Sequence, residues 1–302
     1  MKYGYIGLGN LGKHLAASLR RAGFEVVVND LDRGAAKSLL EAGCTWADSP
    51  RELASQVDCV ITCLPSPAAS NTVLTGPDGV LQGLRRGGTW IEMSTTDERE
   101  IKRVAALAAA QGISTLECPV TGGVHLAAQG KITVLVGGEE AVFEAHRPAL
   151  AAMGGQIFYM GELGKASVIK VITNMLAFIH LVACGEALML AKRGGLDLAQ
   201  AFYAIKASSG TSFVHETEGQ LVLNGSYDIN FTMDLACKDL GFAYEYGRKF
   251  GVPLEIAGLT EQIFRRGRSQ YGGEAQSTQI VKLLEDALGT DLRAPGFPKV
   301  LT

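Results

Sequence analysis

From Lys2 to about Tyr159, short β-branched runs alternate with helical stretches, and after Gly161 the strand pattern stops. That switch limits the possible folds more than any other feature of the chain. Strands are predicted at Tyr3–Ile6, Glu25–Asn29, Cys59–Leu64, Thr89–Glu92, Ser114–Glu117, Ile132–Val136 and Gln156–Phe158. Helical periodicity fills Gly12–Ala22, Arg33–Ala42, Glu98–Ala110 and Glu140–Met153 between them. Strand, helix and strand joined by short turns require parallel strands, right-handed crossovers and helices over both sheet faces. Beyond Gly161 only helices are predicted: Gly164–Arg193, Leu198–Ala207, Lys238–Phe250, Glu255–Gly267 and Thr278–Leu288. The expectation is an α/β chain: a doubly wound, mostly parallel sheet over 1–162, then an all-helical domain over 163–302 that opens with one long helix.

Composition narrows the field further. The 302 residues are 47% hydrophobic and 20% charged, with a net charge of −3, which excludes charge-driven disorder. The same balance argues against a surface made for nucleic-acid phosphates or anionic lipid. Six cysteines without a Cys-x-x-Cys pair, set among apolar neighbours, point to reduced thiols in a cytoplasmic protein. Five scattered histidines give no metal-ligand spacing, so no metal is expected. The N-terminus runs into a strand and lacks the apolar core of a signal peptide. Val168 to Ala191 is apolar enough to suggest a membrane span but contains Lys170, Asn174, His180 and Glu186. A Lys or an acid near a bilayer centre costs roughly 2.5–3.5 kcal/mol, so a helix buried in protein is expected.

The first turn carries the clearest chemistry. Gly7, Leu8, Gly9, Asn10, Leu11 and Gly12 form a Gly-x-Gly-x-x-Gly run directly after a strand and at a helix start. In that setting the first glycine allows a tight turn, the second lets a pyrophosphate approach the backbone, and the third lets helix pack on sheet. Free N–H groups at the helix start then face the anion. Asp30 closes the next strand, about where a Rossmann-type domain grips a ribose 2′-hydroxyl. An acid there repels a 2′-phosphate, and Leu31 beside it offers no cation, so NAD is favoured over NADP.

Several segments together resemble the β-hydroxyacid dehydrogenase family, over nearly the whole chain. They are the glycine run, Thr62-Cys63-Leu64-Pro65, Met93-Ser94-Thr95, and Pro119-Val120-Thr121-Gly122-Gly123 with Ala127 and Gly130. Lys170 with Thr173-Asn174, and Lys238-Asp239-Leu240, complete the series. The resemblance implies a Rossmann domain, a helical domain, an active site in the cleft between them, and homodimers or homotetramers. It also implies that Leu64, Pro65 and Thr95 line the cofactor and that Lys238 reaches towards it.

The residues have a chemical logic of their own. Thr121, Gly122 and Gly123 follow a strand and precede a helix, where a hydroxyl and two bare N–H groups make a cradle for a substrate carboxylate. Lys170 lies among Val168, Ile169, Val171 and Ile172, and burial moves a lysine pKa towards the range useful for proton transfer near neutrality. Asn174 falls one turn later on the same helix face, where it can hold the substrate oxygen or the lysine. Departures from the family bear on the substrate. Thr121 stands where Ser is usual, and Thr173 where the family carries a second Asn and 6-phosphogluconate dehydrogenases carry His. Ala166 replaces a glycine, and Gln276 replaces an acid. No arginine accompanies Ser208–Phe213 and Phe231, which resemble segments closing the family's pocket, so a dianionic substrate is disfavoured. The expected function is hydride transfer between NAD(H) and a small β-hydroxy acid or its semialdehyde, with Lys170 as acid/base. Two rivals are an imine reductase on the same architecture, typically without the lysine, and a non-catalytic dinucleotide-binding sensor or scaffold.

Overall fold

The computed structural model describes all 302 residues, in two compact units, Met1–Lys170 and Val171–Thr302. In the first unit the order begins β1 (Lys2–Ile6), α1 (Gly12–Arg21), β2 (Glu25–Asn29), α2 (Lys37–Glu41), β3 (Thr45–Trp46), α3 (Pro50–Ser55) and β4 (Cys59–Thr62). It continues with α4 (Pro67–Thr75), β5 (Thr89–Glu92), α5 (Glu98–Ala110), β6 (Ser114–Glu117), β7 (Val120–Thr121) and α6 (Val124–Ala128). Then come β8 (Ile132–Gly138), α7 (Glu140–Met153), β9 (Gly154–Tyr159) and the long α8 (Lys165–Arg193). The division between the units falls inside α8, past its first turn.

The sheet order is β3-β2-β1-β4-β5-β6-β8-β7, with β9 on β8. Strands β1 to β6 are parallel to one another, whereas β8 runs antiparallel to both β6 and β7. Strand order reverses between β1 and β4, the switch point where open α/β sheets bind ligands beyond the strand C-termini. Alternation along the strands divides the core in two. Tyr5 and Val28 pack with Leu15, Leu19, Phe143 and Leu150 on one face. Val27, Val60 and Trp90 pack with Leu53 and Val104 on the other.

Pattern reading misses several short elements. Helices α3 and α4 begin at Ser-Pro pairs: Ser49 accepts from the Glu52 N–H and Ser66 from the Ala69 N–H, each with proline in the first turn. The helix expected over Arg33–Ala42 breaks into a 3-10 turn, Arg33–Ala36, capped by Asp32, followed by α2. The two-residue strands β3 and β7 are too short to show a period.

After α8 the second unit is entirely helical: α9 (Leu198–Lys206), α10 (Phe213–Glu216), α11 (Glu218–Asn224), α12 (Met233–Phe250), α13 (Glu255–Tyr271) and α14 (Lys282–Leu288). Phe178, Leu181 and Leu188 of α8 share its core with Met233, Leu240 and Phe264. Burial of α8 is less complete than the sequence leads one to expect. By length and composition the helix could cross a bilayer, and only 33% of its most apolar stretch is buried in the protein. Ile172, Leu176, His180, Ala183, Ala187 and Leu190 form an exposed stripe at helical spacing. The six cysteines are all free thiols.

Candidate active site

The glycine run occupies the switch point at the end of β1. A Cβ on Gly7 would strike the Cys63 carbonyl leaving β4, and one on Gly12 would strike the Gly7 carbonyl. Both positions are therefore closed to larger residues by backbone packing alone. Gly9 is different: it is exposed, and a Cβ there meets nothing within 4 Å. The start of α1 has no side-chain cap; the Lys13 and His14 N–H groups donate to the Gly9 and Leu11 carbonyls, and the earlier ones are left for an anion. Asn10 is exposed and Leu11 half-buried, while the Leu8 side chain is buried and presents only backbone to the turn. Asp30 braces this turn, accepting from the Leu8 N–H at 2.6 Å and the Asp32 N–H at 2.9 Å. Leu31 is fully exposed. A depression of about 430 Å³ beside the turn is lined by Leu8, Gly9, Asn10, Lys13, Lys37 and Ser38, among others. An open, uncapped helix start beside a side-chain-free glycine fits a dinucleotide pyrophosphate.

At the ends of β4 and β5 a buried relay supports the next loop. The Leu64 N–H donates to Ser94 Oγ at 2.7 Å, and Ser94 donates in turn to Glu92 Oε1 through its hydroxyl and, at 2.8 Å, its N–H. Burial pushes the Glu92 carboxyl above its usual range, against the pull of these hydrogen bonds. Leu64 and Thr95 are half-buried and Pro65 is exposed. Sequence reading assigns no role to Glu92 or Ser94, because nothing in either residue alone signals the relay.

Thr121 ends β7, and Gly123 precedes α6. Gly122 and Gly123 have φ of +120° and +89°, conformations that side-chain-bearing residues rarely adopt, so this cradle needs its two glycines. His125 is half-buried next to it, and burial lowers its pKa.

Lys170 is 7% exposed and Asn174 8%, one turn apart on α8. Asn174 Nδ2 donates to Asp239 Oδ2 at 2.6 Å, and Asp239 is 1% exposed. Its Oδ1 lies 3.0 Å from Lys238 Nζ, which also sits 5.4 Å from the centre of the Phe242 ring. Thr173 is half-buried. Within the first unit the glycine run, Asp30, Leu64, Pro65, Thr95 and Thr121–Gly123 all lie at or beyond strand ends. Within the second unit Asn174 and Asp239 meet, the acid being a residue to which sequence reasoning gives no role.

An uncapped glycine turn at a Rossmann switch point, joined in one chain to a helical unit, defines a two-part dinucleotide-binding protein. Residues 2–161 match the family model described as the NAD binding domain of 6-phosphogluconate dehydrogenase. Residues 164–284 match that described as NAD-binding of NADP-dependent 3-hydroxyisobutyrate dehydrogenase. The chain belongs to the β-hydroxyacid dehydrogenase family. It is 32% identical to a 2-(hydroxymethyl)glutarate dehydrogenase of Eubacterium barkeri, covering 97% of both chains. A crystal structure of 3-hydroxyisobutyrate dehydrogenase from Salmonella typhimurium superposes with a TM-score of 0.88 at 30% identity, covering 94% of this chain and 99% of that one. An imine reductase from Myxococcus stipitatus, at 18% identity and a TM-score of 0.63 over 94% of this chain and 99% of that one, shares the fold alone.

Proposed function

We propose that the protein moves a hydride between NAD(H) and a small carboxylate bearing a β-hydroxyl, or the matching semialdehyde. Bound cofactor supplies or accepts the hydride. Gly7 to Gly12 and the α1 N–H groups hold its pyrophosphate, Asp30 faces its ribose, and Leu64, Pro65 and Thr95 border it. Thr121, Gly122 and Gly123 bind the substrate carboxylate, and Thr173 of α8 contributes to substrate binding. Lys170 gives a proton to the forming alkoxide during reduction and takes it back during oxidation. Asn174, steadied by Asp239, orients the reacting oxygen or the lysine. The observation that carries this reading is a nearly fully buried lysine followed one turn later by an amide locked to a buried acid. Such a lysine is rare without a purpose.

The test is a panel of short 3-hydroxy acids and semialdehydes, each with NAD(H) and NADP(H). Turnover with at least one is expected, with NAD(H) preferred because Leu31 offers no cation. A preference for NADP(H) would assign Lys13 and Lys37 of the depression to phosphate binding. Lys170→Ala is expected to abolish turnover and leave NADH affinity unchanged. Retained turnover would remove the lysine from the mechanism, and no turnover with any substrate would favour a sensor or scaffold.

We also propose that a second copy of the chain covers the exposed α8 stripe. Exposed Glu186 on the same helix makes lipid a poor occupant, since an acid within a bilayer is costly, and an apolar stripe of this kind marks an interface between subunits. Light scattering is expected to show a dimer or tetramer, reduced to monomer by Leu176→Lys. A monomeric wild-type protein at micromolar concentration would sink this part of the reading.

A further inference from the structure

Glu117, the last residue of β6, is 0% exposed, yet it is an acid. Its carboxylate is surrounded by donors from the start of α8. Oε1 accepts from the N–H groups of Gly164 and Ala166, the latter at 2.9 Å, and Oε2 accepts from the Ser167 N–H at 3.1 Å and from the Ser167 hydroxyl. A side chain at Gly137 would collide with Oε1, so β8 leaves a gap for this carboxylate. Four donors on one buried acid fill the helix N-terminus, where a negative charge is also favoured by the macrodipole. Burial pushes the Glu117 carboxyl above its usual range, against the pull of these hydrogen bonds.

The anchor joins two parts of the proposed site. Downstream of Glu117 the chain runs through Cys118 and Pro119 to Thr121, Gly122 and Gly123. That segment is itself pinned: the Cys118 N–H donates to the Glu92 carbonyl at 2.6 Å, and the Leu135 N–H donates to the Pro119 carbonyl at 2.9 Å. On the helix side, Lys170 lies three residues beyond Ser167, about one turn along α8. We propose that Glu117 is a positioning residue: by gripping the first turn of α8 from the strand that leads to the carboxylate cradle, it sets where the Lys170 amine stands relative to that cradle. The proposal rests on the reading of Lys170 as the proton-transfer group.

The test uses the full-length enzyme and a substrate identified from the panel. Glu117→Gln keeps the shape but presents an amide N–H₂ to donors. It is expected to lower kcat by about 10–100-fold, with the Kd for NADH, read by fluorescence, within about twofold of wild type, because small displacements of a reacting group are that costly. The pH midpoint of kcat/KM is expected to shift, since displacing the Lys170 amine changes the surroundings that set its protonation. A folded Glu117→Gln with unchanged kcat, an unmoved midpoint, or NADH affinity falling in step with kcat overturns the proposal. Should that variant not fold, Ser167→Ala removes a single hydroxyl donor; a drop of roughly tenfold in kcat at unchanged NADH affinity is expected, restored by Ser167→Thr. No drop, or no rescue, overturns it. Lys170→Ala is measured alongside. Retained turnover there defeats both the acid/base reading and this proposal, whereas lost turnover with Glu117→Gln at wild-type rate defeats the positioning role alone.

Discussion

Helices α1 and α8 each begin beside an acid, and the two acids do opposite things. At α1, Asp30 takes the Leu8 N–H in the turn before the helix and leaves the helix start itself uncapped beside the bare Gly9. At α8, Glu117 fills the start with N–H groups from Gly164, Ala166 and Ser167. A helix N-terminus left open attracts an anion from solution, while one filled from within becomes a fixed point. The first suits a site that must accept and release a charged cofactor. The second suits a helix that must hold the proposed acid/base amine still. Neither acid can be assigned its role from its type, because both are carboxylates within one unit.

Filling the open helix start should produce the largest effect. Gly9→Val places a branched side chain where a Cβ now meets nothing, so thermal stability should not change. NADH affinity should fall roughly 10–100-fold, the cost of overpacking against a bound pyrophosphate. Isothermal titration beside a melting curve checks both, and undiminished affinity would show that no ligand approaches there. Disturbing the filled start should give the reverse pattern. Gly137→Ala drives a methyl into the Glu117 carboxylate and should cost about 1–3 kcal/mol in urea unfolding, with NADH affinity intact. Reduced cofactor binding at unchanged stability would erase the contrast between the two helix starts.

An effect confined to acid pH comes from a buried ionisable group that has no charged partner. His146 is 3% exposed, lies 3.1 Å from Tyr3 Oη, and is lowered by burial from 6.5 to about 4. The unfolded chain therefore takes up this proton first as pH falls. Its contribution to stability is intact above pH 6.5 and is lost between there and about 4, at most about 1.4 kcal/mol per pH unit. In His146→Gln the acid limb of stability against pH should be shallower by one proton. An unaltered slope would place the acid sensitivity elsewhere, with Glu92 and Glu117 contributing nothing in that direction because burial raises both.

The glycine turn was readable because each glycine answers a local need: a backbone collision at Gly7 and Gly12, open approach at Gly9. Lys170 and Asn174 fall on one face of α8 because one helical turn places them together whatever surrounds them. Short elements were not readable: α3 and β7 have too few residues for a period to emerge, and α4 has little apolar periodicity, although Ser49-Pro50 and Ser66-Pro67 were usable start signals. The direction of β8 was also hidden, since an apolar run reads the same whether its neighbours are parallel or antiparallel. Burial of α8 was overestimated, because hydropathy cannot separate a face packed in a core from one left exposed.

Residue order alone settled the two-part architecture, the dinucleotide turn and the lysine-bearing helix, since periodicity and turn geometry act over a few residues. Folding in three dimensions decided which acid meets which donor. Asn174 finds Asp239 from 65 residues away, and Glu117 finds the start of α8 across 47 to 50 residues. A buried carboxylate must be hydrogen-bonded, but any of several donors could satisfy that need, and only the packed sheet and helices select among them.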